Sequence, residues 1–225
     1  MSKLVWDQVG ERLYETGVEM AAIYPITGGT YGAGAAWNGL TAVTESPSGA
    51  EPTALYANDK KYVELMSAEE FGGTIEAYTY PKEFAACNGE GTLAAGIKIA
   101  QQVRTPFGLV YKTLIGNDTE GTKHGYKLHI VYNCRVSPSE KSNNTVNDSP
   151  EAATMSWEFT TTPVDVAGFD PTSHIVIDST EINADKLKAI EEALYGTESA
   201  EAKLLTPAEL ITLMGESGED PDAQG

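Results

Sequence analysis

Three histidines, two cysteines and 33 acidic residues are the groups with which this chain of 225 residues could do chemistry. Imidazole titrates near neutrality and binds metals, so histidine spacing is the first thing to test. His124 lies in a polar, glycine-flanked stretch, His129 in an alternating apolar one, and His174 opens a short apolar run far downstream. The spacing among the three does not resemble a metal site. His129 is one residue out of phase with Leu128 and Ile130, which predicts that it faces away from them as a solvated strand histidine. Cys87, in ACNGEG, and Cys134, at a strand end, fit free thiols of a reducing compartment better than a single disulfide. The glycine-rich GGTYGAG at Gly28 to Gly34 fits neither the dinucleotide nor the phosphate-loop template and lacks the phosphate-loop lysine. A carboxylate pair at glycosidase separation stays open, but so many acids produce such pairs by chance. Tyr56, Tyr62, Tyr78, Tyr80, Tyr111, Tyr126 and Tyr132 could form a sugar-stacking platform, or could simply be core and rim residues of strands. The residues therefore point to a non-enzymatic protein that needs no cofactor and no metal.

The formal net charge of -18 and the pI near 4.4 argue against ordinary nucleic-acid binding, which depends on Lys and Arg neutralising phosphates. No run approaches the roughly 18 to 20 apolar residues of a membrane span, and MSKLVWDQVGERLYE lacks a signal-peptide core. The expectation is a protein made and folded in the cytoplasm, without membrane insertion.

The elements that must position these groups are mostly strands. Phe107 to Cys134 reads as one long hairpin. Phe107, Leu109, Tyr111 and Thr113 share a face of its first arm, and Tyr126, Leu128, Ile130, Tyr132 and Cys134 share a face of its second. The other face, with Lys112, Lys127 and His129, is expected to meet a neighbour or a lumen. Gly116 to Gly121 supply a polar tip. Residues 1 to 24 read as a short arm or strand, Pro25 to Ala36 as a loop or contact surface, and Glu45 to Tyr62 as a long loop. Strands are expected at Trp37 to Thr44, Thr74 to Tyr80, Thr154 to Thr161 and Ile175 to Ile177. Asn183 caps a helix with Leu187, Ile190 and Leu194 on one stripe, ended by Gly196. Thr206, Pro207 and Glu209 form a capping box opening a second helix. The reading is one domain over 1–214, mainly β with a flanking helix, with a β core over about 1–180 and a helical part over about 183–214. An acidic tail over 215–225 is expected to be disordered.

Several ordered strings also resemble a known family. Ala36 to Leu40 (AWNGL), Glu45 to Thr53 (ESPSGAEPT), SAEEF at Ser67, TIEAYTYP at Thr74, GYKLH at Gly125, SPSE at Ser137, TVNDSPE at Thr145 and TTPV at Thr161 are similar to the major tail protein, or tail-tube protein, of long-tailed phages and prophages of Gram-positive bacteria. The resemblance covers about residues 1–165, and the helical end is similar to the family's C-terminal part. It implies an antiparallel β-sandwich or barrel of the tail-tube type and no catalytic residues. It also implies six copies per ring, rings stacked into a channel for DNA, and tape measure, tail terminator and distal tail proteins as partners in the virion. On this basis Glu76 and Glu158, on polar strand faces, are candidate lumen- or solvent-facing acids. Gly28, Tyr31, Gly34, Glu51, Asn58 and Asp59 are candidate inter-subunit loop residues. A contractile-tail tube is the near alternative and a carbohydrate-binding β-sandwich the distant one.

Overall fold

The computed structural model describes residues 3–145 and 152–215. The chain opens with a fourteen-residue strand β1 (Tyr14–Thr27), followed by the two-residue strands β2 (Thr30–Tyr31) and β3 (Ala35–Ala36). Strand β4 (Leu40–Glu45) leads outward into an arm. The arm consists of β5 (Ser48–Gly49), β6 (Pro52–Ala57), β7 (Lys60–Met66) and β8 (Glu69–Glu70), and the chain returns in β9 (Gly72–Ala77). A short 3-10 turn at Lys82–Phe84 and the small hairpin β10 (Gly91–Ala94) and β11 (Ile97–Ile99) precede the long hairpin β12 (Phe107–Asn117) and β13 (Gly121–Val136). Strands β14 (Met155–Thr160), β15 (Val164–Val166), β16 (Phe169–Thr172) and β17 (His174–Asp178) and helices α1 (Ala184–Tyr195) and α2 (Pro207–Met214) complete the order.

The main sheet runs β2-β1-β12-β13-β14-β9-β4, antiparallel, with β17 added on β13 and β3 on β1. It folds into two layers, because β13 serves both. Its length up to Cys134 pairs with β12, while Arg135 and Val136 pair with β14. Between Leu109↔Val131 and Phe107↔Cys134 the partner strand advances two residues and β13 three, so β13 holds a bulge, with Asn133 at φ 48. Such a bulge is how a strand turns the corner from one sheet to the next. It also corrects the simple alternation of the sequence reading. Tyr132 packs in the core under the helices, whereas Cys134 lies with Val131 in the core between the layers. Tyr31 braces the corner, its hydroxyl donating to Asn133 Oδ1 at 3.0 Å, while Asn133 Nδ2 donates to the Thr162 carbonyl at 3.1 Å.

The core between the layers holds Ile23, Ile75, Phe107, Leu109, Tyr111, Val131, Trp157 and Phe159. The ring of Phe84 touches four aromatic neighbours there, with centroids at 4.5 Å (Trp37), 5.3 Å (Trp157), 5.5 Å (Phe107) and 5.8 Å (Tyr80). A second core, with Tyr24, Val110, Ile130, Tyr132, Ile190, Leu194 and Leu210, joins the other face of the hairpin layer to α1 and α2. The fold is therefore mainly β, a sandwich with a flanking helical layer, and both hairpin faces are covered.

The helix signals act as the sequence indicates. Asn183 Oδ1 accepts from the Asp185 and Lys186 amides, and Thr206 and Glu209 form the reciprocal capping box with Pro207 next to the cap. Asn183→Ala is expected to cost about 1 kcal/mol, read as a lowered denaturation midpoint with an unchanged slope.

Three sequence expectations need correction. Residues up to Tyr24 contribute most of a long strand, whose alternation is hidden by register shifts between Thr16, Glu19 and Ala22, with Gly17 at φ 69 and Met20 at φ 51. Pro25 to Ala36 is partly strand rather than loop, since Pro25 to Thr27 end β1 and β2 and β3 fold back on it. Glu45 to Tyr62 is a hairpin arm. Asn58 (φ 51) and Asp59 (φ 59) form its two-residue turn, in which both central residues need positive φ. The acidic tail beyond Gly215, expected to be disordered, lies outside the described residues.

Candidate functional site

Two features stand out from an otherwise conventional interior: a polar cluster held between the layers and a set of apolar arms held outside them.

The cluster begins with the cross-strand pair Tyr111↔His129, whose rings lie 4.5 Å apart and within 5° of parallel. His129 is 6% exposed, so it is not the solvated strand histidine its phase suggests. It faces away from Ile130, as expected, but that face is covered by the other layer, from which Glu45 arrives at the end of β4. The Tyr111 hydroxyl donates to Glu45 Oε1 at 2.6 Å, and His129 Nδ1 lies 3.4 Å from the same oxygen. His129 Nε2 sits 2.9 Å from the Thr113 hydroxyl, which can donate or accept and so suits either tautomer. His174, from β17, brings Nε2 to 3.1 Å from His129 Nδ1 and packs against Phe71. The His129 and His174 centroids are 5.3 Å apart with planes 14° from parallel. Because a ring nitrogen stands less than a bond length from its ring centre, those spacings require the imidazoles to meet edge to edge, where either ring can donate to the other.

Burial pushes His129 down to about 4, helped by the neighbouring His174, and burial lowers His174 as well. Both rings are neutral at pH 7. An unfolded histidine binds its proton near pH 6.5, whereas the folded His129 waits until about pH 4, so the contribution of this ring is complete above the first value and lost as pH falls toward the second. From about pH 7 to about pH 5, in chelator-containing buffer, the unfolding free energy should drop by about 2 kcal/mol. Urea denaturation at several pH values checks this, and His174→Gln should flatten the dependence.

The other reactive groups are quiet. Cys87 and Cys134 are free, buried thiols, and burial raises Cys87 to about 12 and Cys134 also upward. Tyr111 and Tyr132 are buried, so they cannot belong to an exposed stacking platform. Tyr80 donates to Glu90, which Lys98 also contacts, and burial with that acceptor raises the phenol to about 12.

The second feature is outside. Nearly every residue of β6 and β7 is exposed, including Leu55, Tyr56 (72%), Tyr62 (77%), Leu65 and Met66. Leu4, Val5, Trp6, Val9 and Leu13 are exposed ahead of β1, as are Leu93, Ile97, Ile99 and Val103 on and beyond the small hairpin β10–β11. At about 3.3 Å per residue the six-residue β6 reaches about 20 Å. Among the described residues this two-stranded ribbon has neither the third strand nor the packed face that makes a hairpin stable in water.

The six candidate loop residues are thus divided. Glu51, Asn58 and Asp59 all sit exposed on this arm, and Gly28 is exposed in the β1–β2 turn. Tyr31 turns inward to brace the β13 corner, and Gly34 packs so closely that an added Cβ would lie 2.6 Å from the Tyr24 ring. Glu76 and Glu158 share one face of the β9–β14 pair, diagonal across the register Ser156↔Glu76 and Glu158↔Thr74, with Glu158 exposed and Glu76 half-buried. The three groups expected on one hairpin face are separated. His129 is buried between the layers. Lys112 lies over the Tyr126 ring at 3.7 Å and pairs with Glu19 at 3.5 Å, and Lys127 pairs with Glu15.

Glu45, Thr113 and the pairing of His129 with His174 escape sequence reasoning, because nothing local in the chain marks which strands will face each other across a sandwich. Among the described residues no helix is long and apolar enough to cross a membrane. No family model matches the chain, and a search of curated proteins returns no match.

Proposed function

We propose that this chain is the subunit of a phage tail tube, a structural virion protein that forms stacked hexameric rings around a channel for DNA. The observation that carries the reading is the apolar β6–β7 arm, together with the exposed segments before β1 and at β10–β11. Each offers surface that a second copy of the chain can cover. The ordered strings that resemble the tail-tube family support this specific reading, and a sandwich with flanking helices is compatible with such a subunit. On this reading the role is mechanical rather than catalytic. The partners are other copies of the chain and the tape measure, terminator and distal tail proteins, and DNA passes without specific binding. The charge of -18 suits that passage, since acids within about 8 Å of the phosphates repel them at physiological salt. The face that carries exposed Glu158 and half-buried Glu76 is the proposed acidic contribution to lumen or outer surface.

Negative-stain microscopy of concentrated protein, alone and mixed with its tail partners, tests the reading. Rings or tubes are the expected result. A chain that stays monomeric at every concentration and never copolymerises with those partners would overturn it.

A further inference from the structure

We propose that Glu45, His129 and His174 bind one divalent transition-metal ion of zinc's class, tying β13 and β17 in one layer to the end of β4 in the other. The three residues come from distant parts of the chain, yet one ligand atom from each lies within 4.8 Å of the other two. Two edges of that triangle are 3.1 Å, between His129 Nδ1 and His174 Nε2, and 3.4 Å, between His129 Nδ1 and Glu45 Oε1. Atoms about 2.0–2.1 Å from a tetrahedral zinc stand about 3.3 Å from one another, so the two edges bracket the spacing the ion needs. Two imidazoles and one carboxylate suit zinc and its neighbours, whereas magnesium and calcium take oxygen ligands.

The residues behind the ligands are those a metal site requires. The Tyr111 hydroxyl donates to Glu45 Oε1 and orients the carboxylate. Thr113 stands at His129 Nε2, where it fixes the ring and can accept its proton. Outer partners of this kind set ligand orientation and tautomer.

In the metal-free chain the shared N–H between the two imidazoles occupies this position. The ion takes its place, and the rings swing until both lone pairs point at the ion. No proton need leave the protein, because whichever imidazole supplies that N–H moves the hydrogen to its other ring nitrogen, His129 to Nε2 facing the Thr113 oxygen or His174 to Nδ1, which leaves His129 Nδ1 and His174 Nε2 free to bind. The side chain of Glu45 is 39% exposed, and this is the side from which the ion and a water as fourth ligand reach the site. The site lies within a single subunit, so its test is separate from that of tube assembly.

Full-length protein stripped with EDTA and titrated with Co2+ should develop the visible absorption of a four-coordinate ion, saturating at a single equivalent, and Zn2+ should displace it. Glu45→Gln and His174→Gln should each weaken zinc binding by at least about 100-fold, and Tyr111→Phe, which leaves all three ligands in place, by about 10-fold. Far-UV circular dichroism of the stripped variants verifies folding; if His174→Gln does not fold, the exposed Glu45→Gln carries the test. Zinc binding weaker than about 1 mM, or unchanged in the folded variants, overturns the proposal.

Discussion

Replacing Phe84 with alanine should lower the unfolding free energy by about 3–5 kcal/mol. Phe84 is fully buried and reaches the core from a 3-10 turn, not from a strand. Its ring is surrounded by Trp37, Tyr80, Phe107 and Trp157, which come from four separate stretches of the chain. Rings fixed by strand pairing and by their own hydrogen bonds cannot collapse into the space. Trp37 Nε1 donates to the Thr79 carbonyl at 2.8 Å and Trp157 Nε1 to Asn88 Oδ1 at 3.1 Å, so filling the void would break one of these bonds. The cavity should therefore persist, which places the loss at the upper end of large-to-small substitutions. Urea denaturation measures it, with Phe84→Leu as the milder comparison. A loss below about 1 kcal/mol would mean that the rings do relax and that the packing is looser than described.

Changing Tyr56 and Tyr62 together to serine should raise the concentration needed for assembly by about 1000-fold while leaving the subunit folded. This expectation rests on the proposed tube. Both tyrosines stand on the β6–β7 arm and touch nothing in either core. Exposed positions of this kind change subunit stability by only about 0.5 kcal/mol each. Aromatic anchors buried at an interface are worth about 2 kcal/mol or more apiece, and about 4 kcal/mol is a thousandfold in an equilibrium constant. Sedimentation velocity with microscopy reads the assembly and thermal denaturation reads the fold. Tubes forming at the wild-type concentration would remove the arm from the interface. Unfolding of the variant would show instead that the arm stabilises its own subunit.

What was legible in the chain, and what was not, follows from where each strand finds its cover. The β12–β13 hairpin, β14 with Trp157 and Phe159, and both helices are readable because their apolar faces meet a core inside the same chain. The arm reads as a loop because its strands expose nearly every side chain, so the core imposes no alternation on them. Its signal was the Asn58-Asp59 pair, a turn dipeptide at the centre of two short strand-like runs. Strand β1 was hidden for another reason. Bulges at Gly17 and Met20 reset its phase, so no single period spans its fourteen residues. His129 reads as a wet strand residue because an alternating strand usually has one wet face, whereas this layer is covered on both sides. The cluster it joins was legible only in fragments, since Glu45 and His174 reach it through pairings between strands distant in sequence.

The bulge at Asn133 turns β13 into a covalent strut shared by the two layers. A pull that tries to separate the layers at this corner therefore loads backbone bonds before it loads side-chain contacts. Neither layer can lose β13 without dismantling the other, so the two should open together with one free energy. A chain built this way passes strain on as a rigid body and confines yielding to its arms.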